Sequence, residues 1–269
     1  MTADENAAHG VRAVTIARMT AAAPTDELRE RLLAVMDRKH HAGWPAFTRP
    51  GLSRAQLETH FAQEWAVYVR DFPVLLARVL GQSPPDDVRR ALAENLYEEQ
   101  TGGLSRGVSH PELFLRMMDG LGIDRARIAG ATLLPTSAVY RAFLDESSSS
   151  PPWVIGAAVL TVFVEGSVHE RAELSRADER GAIPRDDPAT VERAIAEHPM
   201  VKHYGCPPSA MDLVRAHRAV EGGHRKDAWR MVLEHARGHE TSIVEHVERA
   251  LRLWLAYRDG VCRAAGIDF

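Results

Sequence analysis

Three side chains in the C-terminal third, His217, Glu221 and His224, have the types and the spacing of a metal-binding set. At about 100° per residue, an α-helix brings positions i, i+4 and i+7 within about 60° of one another. Two imidazoles and a carboxylate on one stripe supply mixed N/O donors, which suit iron or another first-row transition metal. With 13 histidines in the chain, a chance cluster is the competing reading. Residues 225–264 continue as amphipathic helix, so the triplet opens a long helical C-terminal region.

A three-ligand helix needs partners from other helices. Glu165 ends the run from Trp153 to Val164, a helix apolar on nearly all sides and therefore buried. An unpaired carboxylate there would cost on the order of several kcal/mol or take up a proton. Either a metal ion or an arginine such as Arg171 can supply the missing positive charge. Glu98 and Glu99 close another helix, the glycine loop 102–107 turns the chain, and His110 opens the next helix. His110-Pro111 also reads as ordinary helix-start chemistry. Glu64 lies one turn after His60 on an apolar helix with Phe61, Trp65 and Tyr68 along one side, so it faces either inward or solvent. Two rival pairs compete: Glu165 with His169, and His235 with His239, each at i and i+4. The second lacks an obvious third ligand and reads as a solvated face.

The elements that must hold these residues are helices. Strand alternation is almost absent, and helical periodicity predicts helices at 26–41, 53–81, 84–100, 110–121, 136–145, 152–175, 189–197, 208–235 and 238–264. The expected architecture is an all-α bundle of seven to nine helices in one domain, 25–269, behind a disordered tail, 1–24. Net charge is −4 with acid and base interspersed, so no nucleic-acid or polybasic membrane partner is expected. Two distant cysteines, Cys206 and Cys262, give no disulfide framework, and a cytoplasmic location follows. The longest apolar run is shorter than the roughly 18 residues that a membrane span needs. No nucleophile elbow, P-loop, dinucleotide-binding glycine fingerprint or HExxH is present, which leaves hydrolase, nucleotide-binding and zincin readings without support.

In order along the chain stand a glutamate, a second glutamate with a glycine loop and His-Pro-Glu-Leu, a glutamate on an apolar helix, and His-x3-acid-x2-His. This order resembles the haem-oxygenase-like diiron oxidases, relatives of thiaminase II and pyrroloquinoline-quinone synthase, over about residues 27–264. The resemblance implies a haem-oxygenase-like helical bundle and two iron ions held by Glu99, His110, Glu165, His217, Glu221 and His224. Glu165 would bridge the irons, and Glu64 would match the extra carboxylate of the N-oxygenating branch. No catalytic residue beyond these ligands is implied. Three departures stand out. Glu221 occupies a place where the family usually has Asp, the Glu99–His110 loop is about one residue long, leaving Glu98 as a substitute, and the stretch from Glu165 to His217 is longer by some twenty residues.

The implied activity is that of a nonhaem diiron oxygenase using O2 and an external reductant on a small molecule, with N-oxygenation of an amine or guanidine-type nitrogen expected first. The alternatives are oxidative C–H or C–C cleavage of an amino or fatty acid, or a metal-free enzyme or binding protein like pyrroloquinoline-quinone synthase. A homodimer is expected. Gly222 and Gly223, inside the ligand helix, predict an unwound turn near 217–226 in the metal-free chain.

Overall fold

Capping chemistry in the sequence starts several of the helices. Ser53 accepts a hydrogen bond from the Gln56 amide while the Gln56 side chain accepts from Ser53 N–H, a reciprocal box that opens α3 (Arg54–Glu64). Ser109 caps α6 (His110–Gly120) in the same sense, with Pro111 in the first turn. The computed structural model describes residues 24–176 and 186–269. The expected tail therefore lies outside the described residues apart from Pro24, which begins α1 (Pro24–Met36).

All regular structure among the described residues is helical. The remaining segments are α2 (Trp44–Thr48), α4 (Phe72–Leu80), α5 (Asp86–Thr101), α7 (Arg125–Ala129), α8 (Pro135–Ser149) and α9 (Trp153–Ala157). After these come α10 (Glu170–Leu174), α11 (Pro188–Ala196), α12 (Pro199–Tyr204), α13 (Asp212–His235) and α14 (Glu240–Ala264). This exceeds the seven to nine expected, for two reasons. Short pieces (α2, α7 and α12) lie where no helix was expected, and two long expected helices are broken. The expected helix 53–81 stops at Arg70-Asp71, where Pro73 enters the first turn of α4. The expected helix 152–175 stops at Glu165 and restarts only at Glu170.

Two helices change pitch instead of ending. The chain after α3 runs on as a π-helix, Trp65–Val69, and the chain after α9 as a longer one, Ala158–Val164. The second is the centre of the molecule. Ala158 to Phe163 are all buried, and the segment packs against α13 on one side and α14 on the other. Around it, α8 lies on α14 and α4 lies on α5 and α8. Fully buried Phe163, Leu75, Leu76 and Leu92 fill the space between them. Truncating one such aromatic to Ala costs about 3–5 kcal/mol, so Glu165, two residues beyond Phe163, stands on a rigid base. No helix among the described residues is long and apolar enough to cross a membrane.

Candidate metal centre

Four helical elements deliver polar side chains to one cavity of ≈ 250 Å³. Glu99 comes from α5, His110 from the first turn of α6, Glu165 from the end of the central π-helix, and His217 and His224 from α13. Ligand atoms of Glu99, His110 and His217 all lie within 4.8 Å of one another. The His110 and His217 rings meet edge to face at 5.0 Å. The helical spacing read from the sequence thus places both histidines of α13 on the cavity side.

Glu98 and Glu99 take different roles. Glu98 is fully buried behind His110, where it accepts from Leu104 N–H at 2.7 Å, from the Ser105 hydroxyl and from His110 Nε2 at 3.1 Å. Burial pushes its carboxyl up, but the bonds from Ser105, Leu104 and His110 outweigh it, so the group stays ionised below its usual range. The loop that makes this possible turns at Gly102, whose φ of 63° closes α5. A Cβ there would meet the Val108 backbone at 2.2 Å. Glu99 faces the cavity instead. Of the two neighbours, Glu99 is therefore the cavity-facing carboxylate, and Glu98 orients the imidazole from behind.

That orientation leaves an unusual contact. When the ring is neutral, with Nε2–H donating to Glu98, His110 presents the lone pair of Nδ1 toward Glu99. The two atoms, Nδ1 and Glu99 Oε1, are 2.9 Å apart but not aligned for a hydrogen bond, and Nδ1 has no other partner. An acceptor facing an acceptor in a buried site repels unless a cation or proton lies between them. Two donors at ordinary metal bond lengths of about 2.1 Å and a right angle would be about 3 Å apart, so the pair fits a shared metal ion. His224 Nε2 is a second buried ring nitrogen without a hydrogen-bond partner. Burial lowers the His224 pKa against the pull of Glu99, Glu94 and Glu98, which keeps the ring neutral and able to ligate. Burial also lowers His110, but Glu99 and Glu98 more than restore it.

Glu165 accepts from Asn95 Nδ2 at 2.8 Å. Arg171, its proposed alternative partner, reaches Glu30 and Asp37 instead. Asn95 is the residue that sequence reasoning missed. Its signal was present: Val88, Leu92 and Asn95 follow one another at helical spacing, so a buried amide continues an apolar stripe that leads to Glu99. The cavity wall is otherwise apolar, from Tyr68, Val69, Phe72, Val164, Leu213 and Val220. Arg225 also borders it, held by Glu170 at 3.1 Å and Glu173 at 2.6 Å. Glu170 further accepts from Trp229 Nε1, which ties the extra stretch between Glu165 and His217 back onto α13.

Glu64 is not brought into this group. Its carboxylate accepts from Arg258 Nη2 at 2.8 Å and from the Tyr68 hydroxyl at 3.1 Å, with His60 Nε2 at 3.7 Å. Burial alone would raise its pKa, yet His60 and Arg258 hold it low. Glu221 lies on α13, but its side chain is outside the described residues. The rival His169 is exposed and does not line the cavity. Asp87, Glu234 and His235 do converge, but His239, the other half of the rival pair, is not among them. Arg230 contacts both carboxylates of that exposed group, which marks it as a solvated charge network. The expected unwound turn is also absent: α13 is continuous from Asp212 to His235, glycines included.

A helical bundle with a buried His/Glu cavity of this kind defines a haem-oxygenase-like fold, and the comparisons agree. Two solved structures superpose over most of their length. A TenA homolog from Pseudomonas syringae pv. tomato is 13% identical, with a TM-score of 0.62 over 88% of this chain and 92% of that one. A domain of unknown function with a heme oxygenase-like fold from Shewanella denitrificans is 14% identical, with a TM-score of 0.64 over 91% and 94%. At such identities the likeness concerns the fold. No curated protein matches the chain. Residues 59–255 match the sequence model of a family described as iron-containing redox enzyme, and the chain belongs to that family.

Proposed function

We propose that the chain is a nonhaem diiron oxygenase that uses dioxygen and an external reductant to oxidise a small organic molecule. Glu99, His110, Glu165, His217, Glu221 and His224 are its proposed ligands. The observation that carries this reading is the pair of buried imidazole nitrogens, His110 Nδ1 and His224 Nε2, that make no hydrogen bond in a cavity that also holds Glu99, Glu165 and His217. Iron bound there would supply the electrons for dioxygen reduction, chemistry that no side chain in the cavity can perform. The protein's own residues do the rest. Glu98 favours the Nε2–H tautomer of His110, Asn95 holds one oxygen of Glu165, and apolar side chains line much of the wall.

N-oxygenation drew on Glu64 as an extra ligand. Because Glu64 is engaged by Arg258 and Tyr68, its placement favours the other outcome, C–H or C–C oxidation of a carboxylic acid. Anaerobic Fe(II) titration, followed by Mössbauer spectroscopy of the oxidised protein, tests the metal reading. Two coupled irons per chain are expected, falling to one or none in His217→Ala and His224→Ala while helicity is kept. Wild-type protein that takes up no iron would refute it.

A further inference from the structure

A second cavity, of ≈ 230 Å³, lies beside the first and shares two wall residues with it, Tyr68 and Val164. Its lining is aromatic and cationic: Trp44, Tyr140 and Trp254 with Lys39 and Arg258. Lys39 is 7% exposed and Arg258 5%. Charge inside a protein needs compensation, and here it is incomplete. Arg258 pairs with Glu64 through Nη2, while its Nε and Nη1 have no hydrogen-bond partner. The guanidinium instead lies against the rings of Trp44, Trp254 and Tyr257, at 4.8, 5.2 and 4.9 Å. Lys39 makes no ion pair among the described residues. Its ammonium donates to the carbonyls of Phe163 at 2.5 Å, Gly166 at 2.7 Å and Val164 at 3.3 Å, and rests over the Phe163 ring. The nearby Asp259 is engaged by His41 at 2.8 Å. Of the two buried cations only Arg258 is paired with a carboxylate, so a protonated Lys39 leaves a single positive charge in excess.

We propose that this cavity is the anchoring site for an aromatic monocarboxylate, its carboxylate taken by Lys39 and Arg258 and its ring by the aromatic wall. A monoanion cancels the one excess charge, and a planar body suits walls built from indole and phenol rings. The far end of such a molecule points past Tyr68 and Val164 toward the metal cavity. The inference deepens the reading above by naming its substrate class, and it rests on that reading only for the reaction, not for the binding. Burial, with the charge of Arg258, lowers the Lys39 ammonium to about 7, and a bound carboxylate would raise it again.

Trp44 and Trp254 provide the readout. Full-length, metal-free protein at pH 6, where Lys39 is charged, is titrated with 3-phenylpropionate, with the neutral 3-phenylpropionamide and with inorganic phosphate while indole fluorescence is recorded. A saturable change with the carboxylate is expected, at least tenfold weaker with the amide or with phosphate. Lys39→Met removes one cation, and Val168→Phe narrows the cavity at a half-exposed lining residue without altering charge. Both variants should weaken carboxylate binding at least tenfold, and Val168→Phe keeps the test alive should Lys39→Met fail to fold. Equal binding of acid and amide, phosphate binding as tightly, or undiminished affinity in Val168→Phe would overturn the proposal. Iron uptake by the same wild-type preparation separates the two readings. Iron without carboxylate binding sinks this inference alone, and carboxylate binding without iron sinks the metal centre alone.

Discussion

Replacing Lys39 by Met should change how stability depends on pH in a calculable way. In the folded protein the ammonium titrates at about 7 instead of 10.5, because it is buried and close to Arg258, with Arg225 acting in the same sense and Glu170 opposing. Below about pH 7 both the folded and unfolded chains hold the proton, and the folded state bears the full penalty of a buried charge. Between 7 and 10.5 the unfolded chain keeps a proton that the folded chain has lost, so wild-type stability rises with pH through that window. One proton contributes about 1.4 kcal/mol per pH unit. The carbonyls at the end of the central helix favour the charged form, which trims the total to roughly 2–4 kcal/mol across the window. Cys206, pushed up to about 11 by burial, acts in the opposite direction above about pH 9, so the raw wild-type curve flattens there. The difference between wild type and Lys39→Met cancels the thiol and isolates the lysine. Guanidinium unfolding at half-unit steps from pH 6 to 10.5 measures it. A difference curve that stays flat, or that slopes the other way, would refute the assignment of a depressed lysine.

Glu98→Gln keeps the size of the side chain but weakens its hold on the His110 ring. Iron affinity should fall about 10- to 100-fold with helicity unchanged, as read by competition with a chelator, and unaltered affinity would remove Glu98 from its orienting role. His110→Ala should abolish iron uptake at one site while His169→Ala leaves it intact, and iron analysis of the two purified variants decides this. Gly223→Ala places a methyl where nothing lies within 4 Å, so the metal-free protein should gain about 0.5–1 kcal/mol in urea unfolding. A loss would mean that the continuous α13 depends on its glycines.

Much of this cavity was legible because many of its polar residues sit on regular helices. The stripe of His217 and His224 needs only the pitch of an α-helix, and Glu165 only the apolar run before it. What the sequence hid depends on contacts distant in sequence. Glu98 and Glu99 point about 100° apart, and only the turn at Gly102, which brings Leu104 N–H and Ser105 to Glu98, decides which one faces the cavity. Glu64 has His60 and Tyr68 one turn away on either side, but its charge partner Arg258 is 194 residues distant, beyond any local pattern. The helices α2, α7 and α12 are too short, at five or six residues, to show a period. The break before Phe72-Pro73 was legible, since a proline disfavours helix in the residue before it.

The two π-helical stretches carry a consequence for how relatives should be aligned. A π turn is an α-helix that has accepted one surplus residue, and everything downstream is rotated by about 100° relative to the unexpanded helix. Both stretches border the cavity: Tyr68 and Val69 come from one, Thr161 and Val164 from the other, and Glu165 follows the second directly. Without the surplus residue the same glutamate would project about 100° from its present direction, away from the cavity it now lines. A cavity-facing acid at this point thus depends on the length of the π segment as well as on residue type. Ligand positions in diverged members should accordingly be matched by helix face, with one-residue gaps allowed inside these two segments, because fixed-spacing searches would pass over chains in which the bulge has been lost or moved.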